Sequence, residues 1–250
     1  MPKVVYIFLN GDFKPPENLP ESPGDGLVVA ADRGLRHVLS LGWKADILVG
    51  DFDSLEPELL EAARQDENTR ILQYPVEKNE TDFELALEKA GEAADFEAAL
   101  LILGAFGGGR LDMSFANLLL SACDLAVLRE KKLRLTFLEG DALIHILKDG
   151  EHVVIRQEEP LLISLIPLSP EVSGVTLAGN FKYPMKDGRL RFGYTLGVSN
   201  QHSGKNGKIS VERGTLAVFL KPLDLDEHAD ANVKPLTRRR PVKSFPYPDY

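Results

Sequence analysis

At 250 residues the chain can hold one large domain or, more naturally, two with separate cores. A formal charge of -9 gives no basic footprint for nucleic acid, and so acidic a protein needs metal ions to bridge it to any phosphate substrate. The single cysteine, Cys123, excludes an intrachain disulfide framework, and no apolar run is long enough for a signal core or a membrane span, so the expected compartment is the cytoplasm.

Up to about Phe137, short apolar runs alternate with amphipathic segments. Strands are predicted at Val4 to Leu9, Leu27 to Ala31, Ile47 to Val49, Arg70 to Tyr74 and Ala99 to Leu103. Helices are predicted near Leu35 to Leu41, Glu58 to Gln65, Asp82 to Ala94 and Asp112 to about Leu128. Such alternation implies an α/β domain over residues 1–138 with a mostly parallel sheet. From Glu139 the character changes to short strands: Ala142 to Leu147, His152 to Arg156, Leu161 to Ile166, Val175 to Ala178, Lys208 to Glu212 and Thr215 to Leu220. Turn signals stand at Asp149-Gly150, Asp187-Gly188, Asn206-Gly207 and Arg213-Gly214. These predict an all-β domain, a sandwich or a barrel, over residues 139–222. The tail, residues 223–250, is polar and punctuated by proline, and its Arg238-Arg239-Arg240 reads as a solvated charge run.

Four polar motifs fall where strands of the first domain end. Gly50-Asp51-Phe52-Asp53-Ser54 follows Ile47-Leu48-Val49 and places two carboxylates just past a buried strand, where an open α/β sheet has its binding crevice. Converging carboxylates repel unless a cation lies between them, and hard oxygen donors select Mg²⁺ or Ca²⁺. Ala31-Asp32-Arg33-Gly34 adds a third carboxylate. Lys78-Asn79-Glu80-Thr81-Asp82 precedes a helix; capping alone accounts for Thr81 and Asp82, and the lysine is a candidate phosphate partner. In Gly104-Ala105-Phe106-Gly107-Gly108-Gly109-Arg110-Leu111-Asp112 a strand runs into three glycines, an arginine and a helix start, which suits an anion. The segment is neither a Walker A loop nor a dinucleotide fingerprint.

With Asn117 and Leu196-Gly197-Val198-Ser199-Asn200, these motifs in this order make the chain resemble the thiamine pyrophosphokinases (thiamine diphosphokinases) over nearly all of residues 3–220. The resemblance implies an N-terminal α/β ATP-binding catalytic domain, a C-terminal thiamine-binding β-sandwich and a homodimer with active sites between subunits. It also implies Mg²⁺-dependent transfer of a pyrophosphoryl group from ATP to the thiamine hydroxyl, leaving AMP. Carried over by residue, Asp51 and Asp53 resemble the Mg²⁺ ligands, with Asp32 and Asp82 beside them as ligands or orienters. Lys78, Thr81, Gly107, Gly108, Gly109, Arg110 and Asp112 match ATP-holding positions, and Ser199, Asn200 and Tyr183 match the thiamine side. The chain departs from the family pattern at Arg33, where glycine is common, at Asn79, where aspartate is, and at Met113, where histidine often follows Asp112.

Two rival readings stay open. A haloacid-dehalogenase-like phosphatase also carries Asp-x-Asp after an apolar strand, though usually its first strand and without such a glycine loop. A non-catalytic nucleotide or thiamine sensor is compatible with the same fold.

Overall fold

The computed structural model describes residues 2–17, 19–123 and 125–223. They form two compact units, one ending at Gly140 and the other beginning at Asp141. The triple arginine lies outside the described residues.

The first unit contains β1 (Val4–Phe8), β2 (Leu27–Ala31), α1 (Gly34–Ser40), β3 (Ile47–Gly50), α2 (Pro57–Gln65) and β4 (Arg70–Gln73). It continues with α3 (Asp82–Ala93), β5 (Ala99–Leu103), α4 (Leu111–Leu120), α5 (Ala126–Glu130) and β6 (Arg134–Glu139). Its strands lie in the order β6-β5-β1-β2-β3-β4, and every neighbouring pair is parallel. β3 and β5 are buried along their whole length, so both faces of the sheet are covered, which is why they read as unbroken apolar runs. The chain winds from β1 outward through β4 and then returns to the other side of β1 with β5. The strand order therefore reverses between β1 and β5, the place where open parallel sheets hold ligands.

α3 is fastened at both ends. The Thr81 hydroxyl accepts from Glu84 N at 3.2 Å as its N-cap. At the other end Lys131 Nζ donates to the carbonyls of Gly91, Glu92 and Ala94 at 2.9, 2.8 and 2.8 Å, taking up oxygens that a helix end leaves unpaired.

The second unit is built from β7 (Ala142–Leu147), β8 (His152–Ile155), β9 (Leu161–Pro167), β10 (Glu171–Phe181), β11 (Met185–Arg191), β12 (Asn200–Ser210) and β13 (Leu216–Pro222). The strands run β11-β10-β12-β9-β13-β7, with β8 on β12, and all pairs are antiparallel. β12 pairs with β9 through Asn200 to His202 and with β8 through Gly207 to Ser210, so it serves both layers of the sandwich. Alternate residues such as Leu161, Ile163 and Leu165 turn inward to one core that draws on every strand of this unit.

Four sequence expectations change. The helix from Asp112 to Leu128 is two helices: Ser121 Oγ bonds back to Leu118 O at 2.6 Å, the last turn tightens, and Leu125 is extended. β6 is a sixth parallel strand that the apolar pattern left unassigned. β11 was also missed, because it pairs with β10 alone and shows polar residues at most positions. Asp187-Gly188 and Asn206-Gly207 lie inside β11 and β12 rather than at turns. Gly207 has a packing reason, since a Cβ there would come 2.5 Å from Nε2 of the buried His202.

Candidate active site

Because the first unit's strands are parallel, the loops after β1, β2, β3, β4 and β5 all leave from the same edge of its sheet. Asp32 follows β2, Asp51 and Asp53 follow β3, and Lys78 lies between β4 and α3 with Asp82 opening that helix. The backbone between the two β3 carboxylates reverses at Phe52, whose φ of 65° is unusual for a bulky residue and whose buried ring anchors the loop. Asp53 N donates to Asp51 Oδ1 at 3.1 Å. Asp32 is also left-handed, at φ 47°, and nearly buried. Gly50 leaves room for it, because a Cβ on Gly50 would meet the Asp32 Cβ at 3.3 Å. One Asp32 oxygen accepts from the Ser54 hydroxyl, while Oδ1 is buried without a hydrogen-bond partner among the described residues.

Lys78 is the cation of this cluster. Its Nζ lies 3.0 Å from Asp51 Oδ2 and 3.1 Å from Asp82 Oδ1, and its side chain is 10% exposed. The second contact is an ion pair, and Asp82 Oδ1 is buried with no hydrogen bond among the described residues. Burial works against the charge of Lys78, but its bonds to Asp51 and Asp82 outweigh this and raise its pKa. For Asp51, burial is likewise overcome, by bonds from Asp53 and Lys78, and its carboxyl is lowered. Asp53 is raised, chiefly by the neighbouring charge of Asp51. Asp82 is raised by burial first, with Asp51 and Asp32 adding to it. The four carboxylates are thus close enough to feel one another.

Whether they suit a divalent cation is a matter of donor chemistry. All are hard oxygens, Asp51 and Asp53 repel, and Asp32 Oδ1 is an orphaned buried acceptor, which together fit an ion such as Mg²⁺. Among the described residues no three such side chains are already gathered at metal-binding spacing. The lysine standing between Asp51 and Asp82 supplies positive charge there instead.

The glycine loop follows β5. Gly107, Gly108 and Gly109 all have left-handed φ, between 65° and 76°, and they are exposed. Gly107 N is taken by Ser114 Oγ at 3.1 Å. Arg110 holds Asp112 through two bonds, Nε to Oδ1 at 2.9 Å and Nη2 to Oδ2 at 2.7 Å. The guanidinium keeps the Asp112 carboxyl at about 2. Asn117 ties α4 to the start of the loop, donating from Nδ2 to Ala105 O at 2.7 Å.

A segment that the sequence reading passed over completes this edge. Gly11 N donates to Gly104 O and Asp12 N to Phe106 O, both at 2.7 Å, joining the loop after β1 to the glycine loop. His37 Nε2 donates to Gly11 O at 3.0 Å and fixes the loop from α1. A Cβ on Gly107 would fall 2.1 Å from Asp12 Oδ2, so the missing side chain there makes space for this carboxylate. Glu139, at the end of β6, is raised by burial and then by the charge of Asp12. Asp12 follows no recognisable motif; its only signal is that it lies in the loop after the strand beside the switch point.

In the second unit, Ser199 is left-handed at φ 60° and its N–H donates to Ser164 Oγ at 3.1 Å. Asn200 is buried and fully engaged: Oδ1 accepts from Tyr183 N at 3.0 Å and Gln201 N at 2.8 Å, and Nδ2 donates to Tyr183 O at 2.8 Å. The result is that Asn200 clamps the Tyr183 backbone and leaves its ring 60% exposed. Lys182 Nζ lies 5.5 Å from that ring's centre, so the ring face already meets a cation. At Arg33, where the family pattern has glycine, φ is -62° and Nε bonds Ser54 O; the close backbone approach belongs to Gly34, whose Cβ would fall 2.1 Å from Phe8 O.

The family description "Thiamin pyrophosphokinase, catalytic domain" matches residues 24–134, and "Thiamin pyrophosphokinase, vitamin B1 binding domain" matches residues 151–216. The chain belongs to the thiamine pyrophosphokinase family. A thiamine pyrophosphokinase of Bacillus subtilis (strain 168) is 28% identical over 194 residues, covering 77% of this chain and 86% of the relative. A crystal structure of thiamine pyrophosphokinase from Bacillus subtilis matches with a TM-score of 0.68 and 25% identity, over 88% of this chain and 99% of that one. One from Geobacillus thermodenitrificans matches at 0.65 and 26%, over 92% and 99%. Membership in the thiamine pyrophosphokinase family makes the chain an enzyme of the pyrophosphotransferase class. The acidic loop, Lys78 and the glycine loop fall within the catalytic match, and Tyr183, Ser199 and Asn200 within the vitamin B1 match. No described helix is long and apolar enough to cross a membrane.

Proposed function

We propose that this protein makes thiamine diphosphate by moving the β,γ-pyrophosphoryl group of ATP onto the thiamine hydroxyl, with release of AMP. The observation that supports this most is a lysine paired with Asp51 and Asp82, beside Asp32 and Asp53, on the sheet edge that also carries a glycine loop, in a chain matching both halves of the family. The first unit serves as the ATP-binding catalytic domain, the second as the thiamine-binding domain, and the residues from 223 as a tail. The enzyme works in the cytoplasm as a homodimer with its active sites at the subunit interface.

In this reading Asp51 and Asp53 hold Mg²⁺, with Asp32 and Asp82 as further ligands or orienters. The ion supplies neutralisation of triphosphate charge and a fixed geometry for its oxygens. Gly107, Gly108 and Gly109 bring backbone close to the polyphosphate, and Arg110, aimed by Asp112, stabilises charge on the transferred and leaving groups. Lys78 meets a phosphate oxygen, while Thr81 keeps Asp82 in place as the cap of α3. The thiamine hydroxyl attacks the β-phosphorus, the bond from that phosphorus to the AMP oxygen breaks, and a carboxylate of the cluster takes the hydroxyl proton. On the acceptor side Tyr183 offers a ring face to the cationic thiazolium, held in position by Asn200, with Ser199 beside it.

The test is AMP formation from ATP and Mg²⁺ with and without thiamine, with thiamine diphosphate followed in parallel. Equal yields of AMP and thiamine diphosphate, both requiring thiamine, are expected. Inorganic phosphate as the product would transfer the site to a phosphatase, and binding without turnover would make it a sensor. Chelation of the divalent ion abolishes the reaction, and specific activity falls on dilution below the dimer dissociation constant.

A further inference from the structure

Lys78 occupies a place that the transfer chemistry leaves to something else. Its ammonium is 3.0 Å from Asp51 and 3.1 Å from Asp82, two of the carboxylates that fit a divalent ion, and its side chain is largely withdrawn from water. An ammonium and a divalent cation cannot share Asp51 Oδ2 at such distances without strong repulsion. We propose that Lys78 is a resident counter-ion of the acidic site, displaced from Asp51 by the incoming divalent cation and released toward the phosphates of the substrate. Cation and polyphosphate then enter as a coupled pair. This rests on the reading of the site as a divalent-cation-dependent polyphosphate transferase.

Two observations and one argument from charge support it. Lys78 pairs with two carboxylates of the cluster at once, and beside them Asp32 Oδ1 is buried without a hydrogen bond among the described residues. Lys78 stands on the loop between β4 and α3, which gives it freedom to move that a strand position would deny. Displacement also costs little where it is useful: the two ion pairs lost are replaced by contacts of the ammonium with phosphate oxygens. Because such coupling is reciprocal, polyphosphate that attracts Lys78 strengthens the cation and the cation strengthens polyphosphate.

The experiment titrates the nucleotide-free, full-length protein with Mn²⁺ alone, reading free ion by electron paramagnetic resonance. Lys78→Met is expected to bind Mn²⁺ about tenfold or more tightly than the parent, because a competing charge has been removed. A lysine of merely structural importance gives the opposite sign, since losing its ion pairs loosens the carboxylates; unchanged or weaker Mn²⁺ binding overturns the proposal. Should Lys78→Met not fold, the parent protein answers by acetylation and mass spectrometry. Mg²⁺ is expected to raise modification of Lys78 several-fold relative to Lys89, which is paired with Glu88 and Glu92 away from the acidic loop, and an equal rate overturns the proposal. Neither readout involves turnover. Unaltered Mn²⁺ affinity in Lys78→Met, with thiamine-dependent AMP formation by the parent protein in a separate assay, overturns the coupling alone.

Discussion

Phe52 shows how one apolar residue organises two polar ones. Its ring is buried and its backbone is left-handed, so Asp51 and Asp53 are delivered to the same side of a tight reversal. Asp53 is exposed and carries the raised carboxyl of the pair. Asp53→Asn is therefore expected to leave the melting temperature unchanged while lowering turnover by about a hundredfold or more, measured as AMP release at saturating substrates beside a thermal melt. Parallel loss of both would make Asp53 a structural residue. The position of this pair was legible because an apolar run ended just before it. Asp12 was not legible, since its significance lies in contact with Gly107, a residue far away in the chain. Asn200 was legible as a candidate but not as a clamp: only the bonds to Tyr183 reveal where its amide is spent.

Among the elements, the glycine loop separates two reasons for glycine. At Gly109 an added Cβ meets nothing within 4 Å, so alanine suffers only from the left-handed φ of 74°, at roughly 1 kcal/mol. At Gly107 the same φ problem is joined by collision with the Asp12 carboxylate. Gly107→Ala is expected to raise KM for ATP by about tenfold and Gly109→Ala by less than about threefold, in steady-state kinetics at saturating thiamine. A reversed order would remove the Asp12 contact from the site. Parallel strands were easily read, because burial on both faces leaves continuous apolar runs such as Ala99 to Leu103. β11 escaped because an outer strand with one neighbour needs few apolar residues, and the break after α4 escaped because a serine bonding back to its own helix leaves no gap in hydropathy. Capping of α3 by Thr81 was readable, being local in sequence.

For the molecule as a whole, pH bears on stability through two histidines of the second unit. His145, in β7, is buried and its pKa is lowered by that burial from 6.5 to about 4. His202 is lowered in the same way. Below the unfolded value near 6.5 the unfolded chain takes up a proton that the folded chain refuses, so stability is complete above that pH and declines as pH falls toward 4. The loss from His145 is at most about 3 kcal/mol. Urea unfolding between pH 7 and 4.5 is expected to show this decline, and His145→Gln to flatten it; an unaltered slope in the variant would mean that His145 is protonated when folded. The two-unit organisation was evident from the change in patterning near Glu139, whereas pairing partners and register needed coordinates, because many alignments of short strands bury the same residues. Lys131 gives the first unit a further property. Its three bonds grip the trailing end of the helix whose leading residue is Asp82, so the aim of that carboxylate is set from behind, from the helix's other end. If Asp82 serves the reaction as proposed, a change at position 131 would blunt the enzyme from the opposite end of the helix.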